Sequence, residues 1–286
     1  MAKAATASPI DVAYRYAAEV VRAQDGDRYV ADLFVPEPLR RHVLALHAFN
    51  VEVGRIRDVV SDPMLGEIRL QWWRDAIFEK LGGGNPVMTA LSDTIGHFSL
   101  PLDAFGRLLD ARVFDLFNDP MPTLNDLEGY AGDTSSSLFQ LASIVLAHRN
   151  DPGTATASGH AGVAFALTGL LRAFPRHVAR RQCYLPQAML VSRGVDSERM
   201  FAGETTPELR GLLADLRTIA RQHLAEAERE LAQASEAVKP AFLPLTLVRP
   251  YLDRMERANY DPFAGVEIAP WRRQWVLWRA ARRLAA

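Results

Sequence analysis

Cysteine is almost absent from this 286-residue chain: Cys183 is the only one. An internal disulfide and a Cys-rich zinc site are thereby excluded, and a reducing compartment is expected. Lysine is nearly as scarce. Lys3, Lys80 and Lys239 are the only three among 33 basic residues, and the rest are arginine. That skew reads either as coding bias or as a preference for the planar fork that holds phosphate and carboxylate. An excess of one charge is lacking too, since 33 basic residues meet 34 acidic ones for a net charge of −1. Nothing in that balance recommends nucleic acid as a partner. No apolar run approaches ~18 residues, so no transmembrane helix is expected. The opening MAKAATASPIDVAYRY has no apolar stretch of the kind a signal peptide needs. Strand-type alternation is missing almost everywhere. So are the GxxxxGK[ST], GxSxG and HExxH signatures.

What is present is an ordinary globular composition, 49% apolar and 23% charged, with helical periodicity nearly throughout. Leu46, Phe49, Val53 and Ile56 share a face, as do Leu65, Ile68, Trp72 and Ala76. Phe105, Leu109, Val113 and Leu116 share another, and so do Leu212, Leu216, Ile219 and His223. Turn chemistry falls at GGGNP (82–86), NDPMP (118–122), NDPG (150–153) and Asp261-Pro262. The pattern predicts helices over 9–24, 38–60, 64–80, 87–97, 102–117, 124–147, 158–173, 206–236, 240–258 and 270–284. Segment 174–205 reads as an irregular excursion with short helical pieces. The economical expectation is one all-α domain over 1–286, frayed at 1–8 and 285–286. The histidines are scattered: His42 and His47 diverge around a helix, and His223 on its apolar stripe reads as a core residue rather than a metal ligand.

The informative stretches are ordered along the chain. They are Ala45-Leu46-His47-Ala48-Phe49; Leu109-Asp110-Ala111 with Asp115-Leu116; Leu167-Thr168 with Leu170-Leu171-Arg172; and Tyr184-Leu185-Pro186-Gln187. Together they resemble the squalene/phytoene synthase family over more than 200 residues. The resemblance implies the isoprenoid synthase fold, a single all-α helical bundle around a central cavity. It also implies head-to-head condensation of two prenyl diphosphates. Diphosphate departs when its developing charge is neutralised, and Mg²⁺ held by carboxylates supplies that. Acids at i and i+4 lie one turn apart on one helix face, so the family's two D-x-x-x-D pairs suit Mg²⁺.

This chain departs from the pattern at those positions. The first pair maps to Gly54 and Asp58, the second to Ala173 and His177. Three of the four carboxylates are gone, so no catalytic residue is assigned and no cofactor is expected. Mg²⁺ enters only under an enzyme alternative, with Asp58, Asp62, Asp110 and Asp115 as weak candidate ligands. Asp58 and Asp62 form a substitute D-x-x-x-D, but Pro63 disfavours helix at Asp62, which reads instead as the cap of the next helix. Asp110 and Asp115 equally suit salt bridges to Arg107 or Arg112. Pro175 stands inside the second motif; an interior proline costs a helix roughly 3 kcal/mol. The helix is therefore expected to end there, and His177 need not face the cavity. Arg55, Arg57, Arg172, Arg176, Arg180 and Arg181 cluster in sequence near the motifs. They read as a solvated rim or as a metal-free site for an anionic ligand, with Arg55, Arg172, Arg176 and Tyr130 as candidate contacts.

Within the family, Ala48-Phe49-Asn50-Val51-Glu52, the run Tyr130 to Leu138, and Arg180-Arg181 before Leu185-Pro186 resemble the branch of mitochondrial complex I assembly factors of phytoene-synthase type. That likeness implies a non-catalytic role in respiratory complex assembly, with a membrane-complex subunit as partner. It implies the cytoplasm or an organellar matrix, with a peripheral position on the inner membrane face as one option. The alternatives are an active prenyl transferase with an altered metal site and a metal-free binder of an isoprenoid or anionic lipid. The last predicted helix carries Trp271, Trp275 and Trp278 on one face and Arg272, Arg279 and Arg283 on its flank. It suits a peripheral membrane or partner contact. The family's own closing helix falls here, which favours burial of the three indoles.

Overall fold

A computed structural model describes residues 8–80 and 83–284. The ends expected to fray lie, apart from Ser8, outside those residues, and Gly82 of the first turn does too. Among the described residues the regular structure is helical, with no strand. In chain order the helices are α1 (Pro9–Gln24), α2 (Gly26–Asp32), α3 (Glu37–Gly54), α4 (Ile56–Val59), α5 (Pro63–Phe78), α6 (Pro86–Phe98), α7 (Leu102–Val113) and α8 (Leu124–Ala131). They continue with α9 (Ser137–Leu146), α10 (Ala155–Ala179), α11 (Gln187–Arg193), α12 (Ser197–Phe201), α13 (Pro207–Leu231), α14 (Val248–Met255) and α15 (Pro270–Leu284). Starts follow capping chemistry. Asn85 accepts from Met88 N and Thr206 from Leu209 N, each followed by a proline at the first helical position. Thr123 and Asp126 close a reciprocal capping box on α8.

The described chain parts into two compact units. The first takes the chain up to Leu116 together with Leu141–Pro152, and the second takes Phe117–Gln140 and the chain from Gly153 onward. In the first, α1, α3 and α6 pack together, and Phe49 of α3 meets Trp73 and Phe105 edge-on at ring distances of 5.3 and 5.6 Å. In the second, α10 lies along α13, whose Leu209, Leu212, Leu213, Leu216, Ala220 and Leu224 are buried. His223, expected in that core, is only half-buried and points its Nδ1 at His160 Nδ1, 2.9 Å away.

Several expectations need correction. The stretch 124–147 is not one helix. Gly132–Ser136 forms a π turn, where the Thr134 hydroxyl donates to Tyr130 O at 2.7 Å and the Ser136 hydroxyl to Gly159 O at 2.8 Å. Gly162 of α10 makes this approach possible, because a Cβ there would lie 2.2 Å from Ser136 N. The stretch 240–258 is a 3-10 segment, Lys239–Leu247, before α14, since Pro244 removes a helical donor. On α5 the stripe Leu65, Ile68 and Trp72 is exposed, at 49, 59 and 38%. The helix instead turns Leu70, Trp73 and Ala76 inward, with Gly66 so close to Leu116 that a Cβ would sit 2.4 Å from its Cδ2. The expected helix 38–60 breaks at Arg55 into α3 and α4, and α10 does not end at Pro175.

Candidate functional site

The first motif lies where α3 ends. Leu46, Phe49, Val53 and Ile56 are buried, so the helix is anchored along its apolar face up to Gly54. The chain then breaks at Arg55, turns once more through α4, and becomes extended at Val60. Asp58 sits exposed near the end of that short turn. Asp62 is outside it and caps α5, accepting from Met64 N at 2.8 Å, with Pro63 at the first helical position. Asp58 and Asp62 therefore do not share a helix face.

Beside Gly54 stands a cation. The Nη2 of Arg112 lies 3.6 Å from where a Cβ on residue 54 would be. Its guanidinium is held from both ends: Nη1 donates to Asp115 Oδ2 at 2.9 Å and Nη2 to Asn50 Oδ1 at 3.1 Å. Asp115 and Asn50 are both buried. Asp110, the other candidate acid, is exposed and paired with Arg74. Of the sequence candidates, the structure thus brings Asp115 toward the first motif, as the partner of an arginine. Arg112 was legible only as a salt-bridge candidate three residues from Asp115. Its approach to Gly54 spans a sequence distance no local pattern reports. Arg55 is exposed and, with Arg69, Glu52, Trp72 and Trp73, lines a surface hollow of about 390 Å³.

The second motif corrects the sequence reading. α10 runs through Pro175 to Ala179. The missing proline N–H is a local penalty, and burial of Phe174, His177 and Val178 in the last turns outweighs it. Phe174 meets the ring of Phe263 at 5.4 Å, and the Pro175 ring lies 3.7 Å from the place of a Cβ on Gly265. His177 is accordingly buried, and it faces a cavity after all. Its ring lies 4.7 Å from that of Tyr184, which in turn lies 5.8 Å from Tyr130. Together with Leu171, Phe174 and Met200, His177 and Tyr184 line an enclosed apolar space of about 20 Å³. That volume holds roughly one water. Ala173 is half-buried, Arg176 is exposed, and the Arg172 guanidinium stacks 3.7 Å over the Tyr251 ring. The three expected ligand contacts of the second unit, Arg172, Arg176 and Tyr130, thus occupy three different settings.

Ordered motifs along one all-α chain invite comparison with known proteins. The family model described as squalene/phytoene synthase matches residues 21–279. The chain is a member of the squalene/phytoene synthase family. The rat protein called NADH dehydrogenase (ubiquinone) complex I, assembly factor 6 is 30% identical over 263 residues, covering 91% of this chain and 79% of its own. A dehydrosqualene synthase crystal structure superposes with a TM-score of 0.82 at 19% identity, over 97% of this chain and 99% of that one. Squalene synthase HpnC from Alicyclobacillus acidocaldarius superposes with a TM-score of 0.77 at 22% identity, over 90% and 98%. These structural likenesses establish the isoprenoid synthase fold.

The family's synthases imply Mg²⁺, and the residues present do not fit it. One carboxylate, Asp58, stands at the four motif positions. A guanidinium already adjoins Gly54, and the position of the last acid carries an imidazole in an apolar wall. Among the described residues, no group of three or more His, Cys, Asp or Glu side chains is arranged to hold a metal ion.

Proposed function

We propose that this chain is a catalytically silent squalene/phytoene synthase-family protein that acts in assembly of a membrane respiratory complex, from the cytoplasmic or matrix side. The observation that carries this reading is the fate of the motif positions. Arg112, tied to Asp115 and Asn50, supplies at Gly54 the positive charge that a metal would bring. A second cation would be repelled there, and diphosphate ionisation would lose its electrophile. The similarity to assembly factor 6 supports the role. No helix of the described residues is long and apolar enough to cross a membrane, so attachment to a membrane complex would be peripheral.

The test has two arms. Purified protein with Mg²⁺ and farnesyl or geranylgeranyl diphosphate is expected to release no diphosphate above background. Turnover that disappears in Asp58→Ala would overturn the reading. Deletion of the gene in its native host is expected to lower the amount of assembled respiratory complex, and the Asp58→Ala form is expected to restore it fully.

A further inference from the structure

The expectation that α15 buries its tryptophans is wrong. Trp271, Trp275 and Trp278 are 70, 50 and 50% exposed. The helix is fixed by its opposite edge, where Leu277 and Ala281 are buried against the 3-10 segment Lys239–Leu247. At 100° per residue the three indoles fall within an arc of about 60°. Arg282 lies inside that arc, and Arg279, Arg272 and Arg283 follow on one flank. Pro270–Leu284 contains five arginines and no acid. Among the described residues, Arg272, Arg279, Arg282 and Arg283 make no ion pair. Instead Arg279 lies 5.3 Å from the centre of the Trp275 ring and Arg282 lies 5.5 Å from that of Trp278.

We propose that this face of α15 docks onto an anionic lipid surface, with the helix lying in the plane of the interface. Indoles favour the headgroup level, where an apolar body and a polar N–H are both accommodated. Arginines beside them meet lipid phosphates at the same depth, and each near-surface base contributes roughly 1 kcal/mol. The helix is too short and too charged to span, so the contact is interfacial. The mixture of charge and indole decides between occupants. A protein partner would have to bury Arg282 amid the aromatic arc and supply a matching acid in register. A second copy would bring one arginine-rich face against another. A lipid surface offers negative charge without register. The setting, though not the chemistry, rests on the membrane-complex reading above.

Flotation with vesicles of phosphatidylcholine alone, and of phosphatidylcholine mixed with phosphatidylglycerol, tests the proposal. The full chain is expected to float with the anionic vesicles only, and less as salt rises. Its tryptophan emission should shift to the blue. Arg272→Gln/Arg279→Gln/Arg283→Gln should weaken binding on the order of a hundredfold. Trp271→Ala/Trp275→Ala/Trp278→Ala should abolish the shift, and both variants should melt near the parent temperature because every altered side chain is exposed. Failure of the parent chain to bind anionic vesicles, or equal binding to neutral ones, would overturn the proposal without any variant. So would a parent dimer in sedimentation equilibrium that the tryptophan variant lacks. The diphosphate assay is unaffected by any of these outcomes, so the two readings fail separately.

Discussion

The two regions that the family resemblance points to differ in what surrounds them. Around Gly54 the surroundings are polar and cationic: Arg112 is tied to Asp115 and Asn50, with Arg55 exposed nearby. Around His177 they are apolar and closed, lined by Leu171, Phe174, Tyr184 and Met200, with no lysine or arginine in the wall. At Gly54 the neighbour is an internal cation. At His177 the neighbours are core side chains. Restoring the family acid should therefore mean something different in each place.

The largest effect is expected from His177→Asp. A carboxylate placed beside Leu171, Phe174 and Met200 loses its hydration, and burying a charge in such a wall costs about 3–5 kcal/mol. Burial would raise the folded-state pKa of the new acid above its unfolded value. Its penalty should thus grow as pH rises and shrink on acidification, measured by thermal melts across pH. A melt within experimental error of the parent would break the contrast between the regions. Next comes Arg112→Ala, which removes the guanidinium that donates to the buried Asp115 and should cost about 3 kcal/mol in denaturant unfolding. Gly54→Asp is expected to be far milder, within about 1 kcal/mol, because its carboxylate lands beside Arg112. A double-mutant cycle with Arg112→Ala should return a favourable coupling of about 1 kcal/mol. Zero coupling would mean that Arg112 does not guard that position. Gly54→Asp combined with Ala173→Asp should still make no squalene or phytoene, with the obstacle being Arg112 rather than a break at Pro175.

A control lies in the parent chain. His42 Nδ1 lies 2.9 Å from the Tyr14 hydroxyl and 3.0 Å from that of Thr94. Burial, with Arg41 and His97 nearby, pushes its pKa down to about 4. Asp93 opposes the shift without reversing it. The unfolded chain binds the proton first, so stability should be full above about 6.5 and decline as pH falls toward 4. That slope is opposite in sign to the acid recovery expected of His177→Asp. His42→Gln should flatten it, and an unchanged slope would assign the acid sensitivity to other groups.

Most helices were legible because apolar periodicity and caps are local. Leu46, Phe49 and Val53 are inside as their spacing implies, and Asn85-Pro86 and Thr206-Pro207 start helices as their chemistry implies. The misreadings share a cause. On α5 the apolar residues run nearly all the way round, so period alone could not say that Gly66, Leu70 and Trp73 face inward and Ile68 outward. On α15 large indoles suggested burial, yet the small Ala281 and Leu277 make the close contact. At Pro175 a local penalty was read as decisive, although the burial of Phe174 and His177 exceeds it.

By itself the sequence determined the all-α class and the family, because these follow from residue identity and spacing. Only the tertiary structure decided what stands beside Gly54 and His177. Arg112 reaches Gly54 across a fold, not along a helix, and its charge matters there because Asp115 and Asn50 hold it in place. His177 was a surface residue or a wall residue depending on whether α10 survived its proline. The tryptophans of α15 were core or docking face depending on which edge of one helix found a partner. Burial is a property of neighbours, and neighbours distant in the chain leave no local signature.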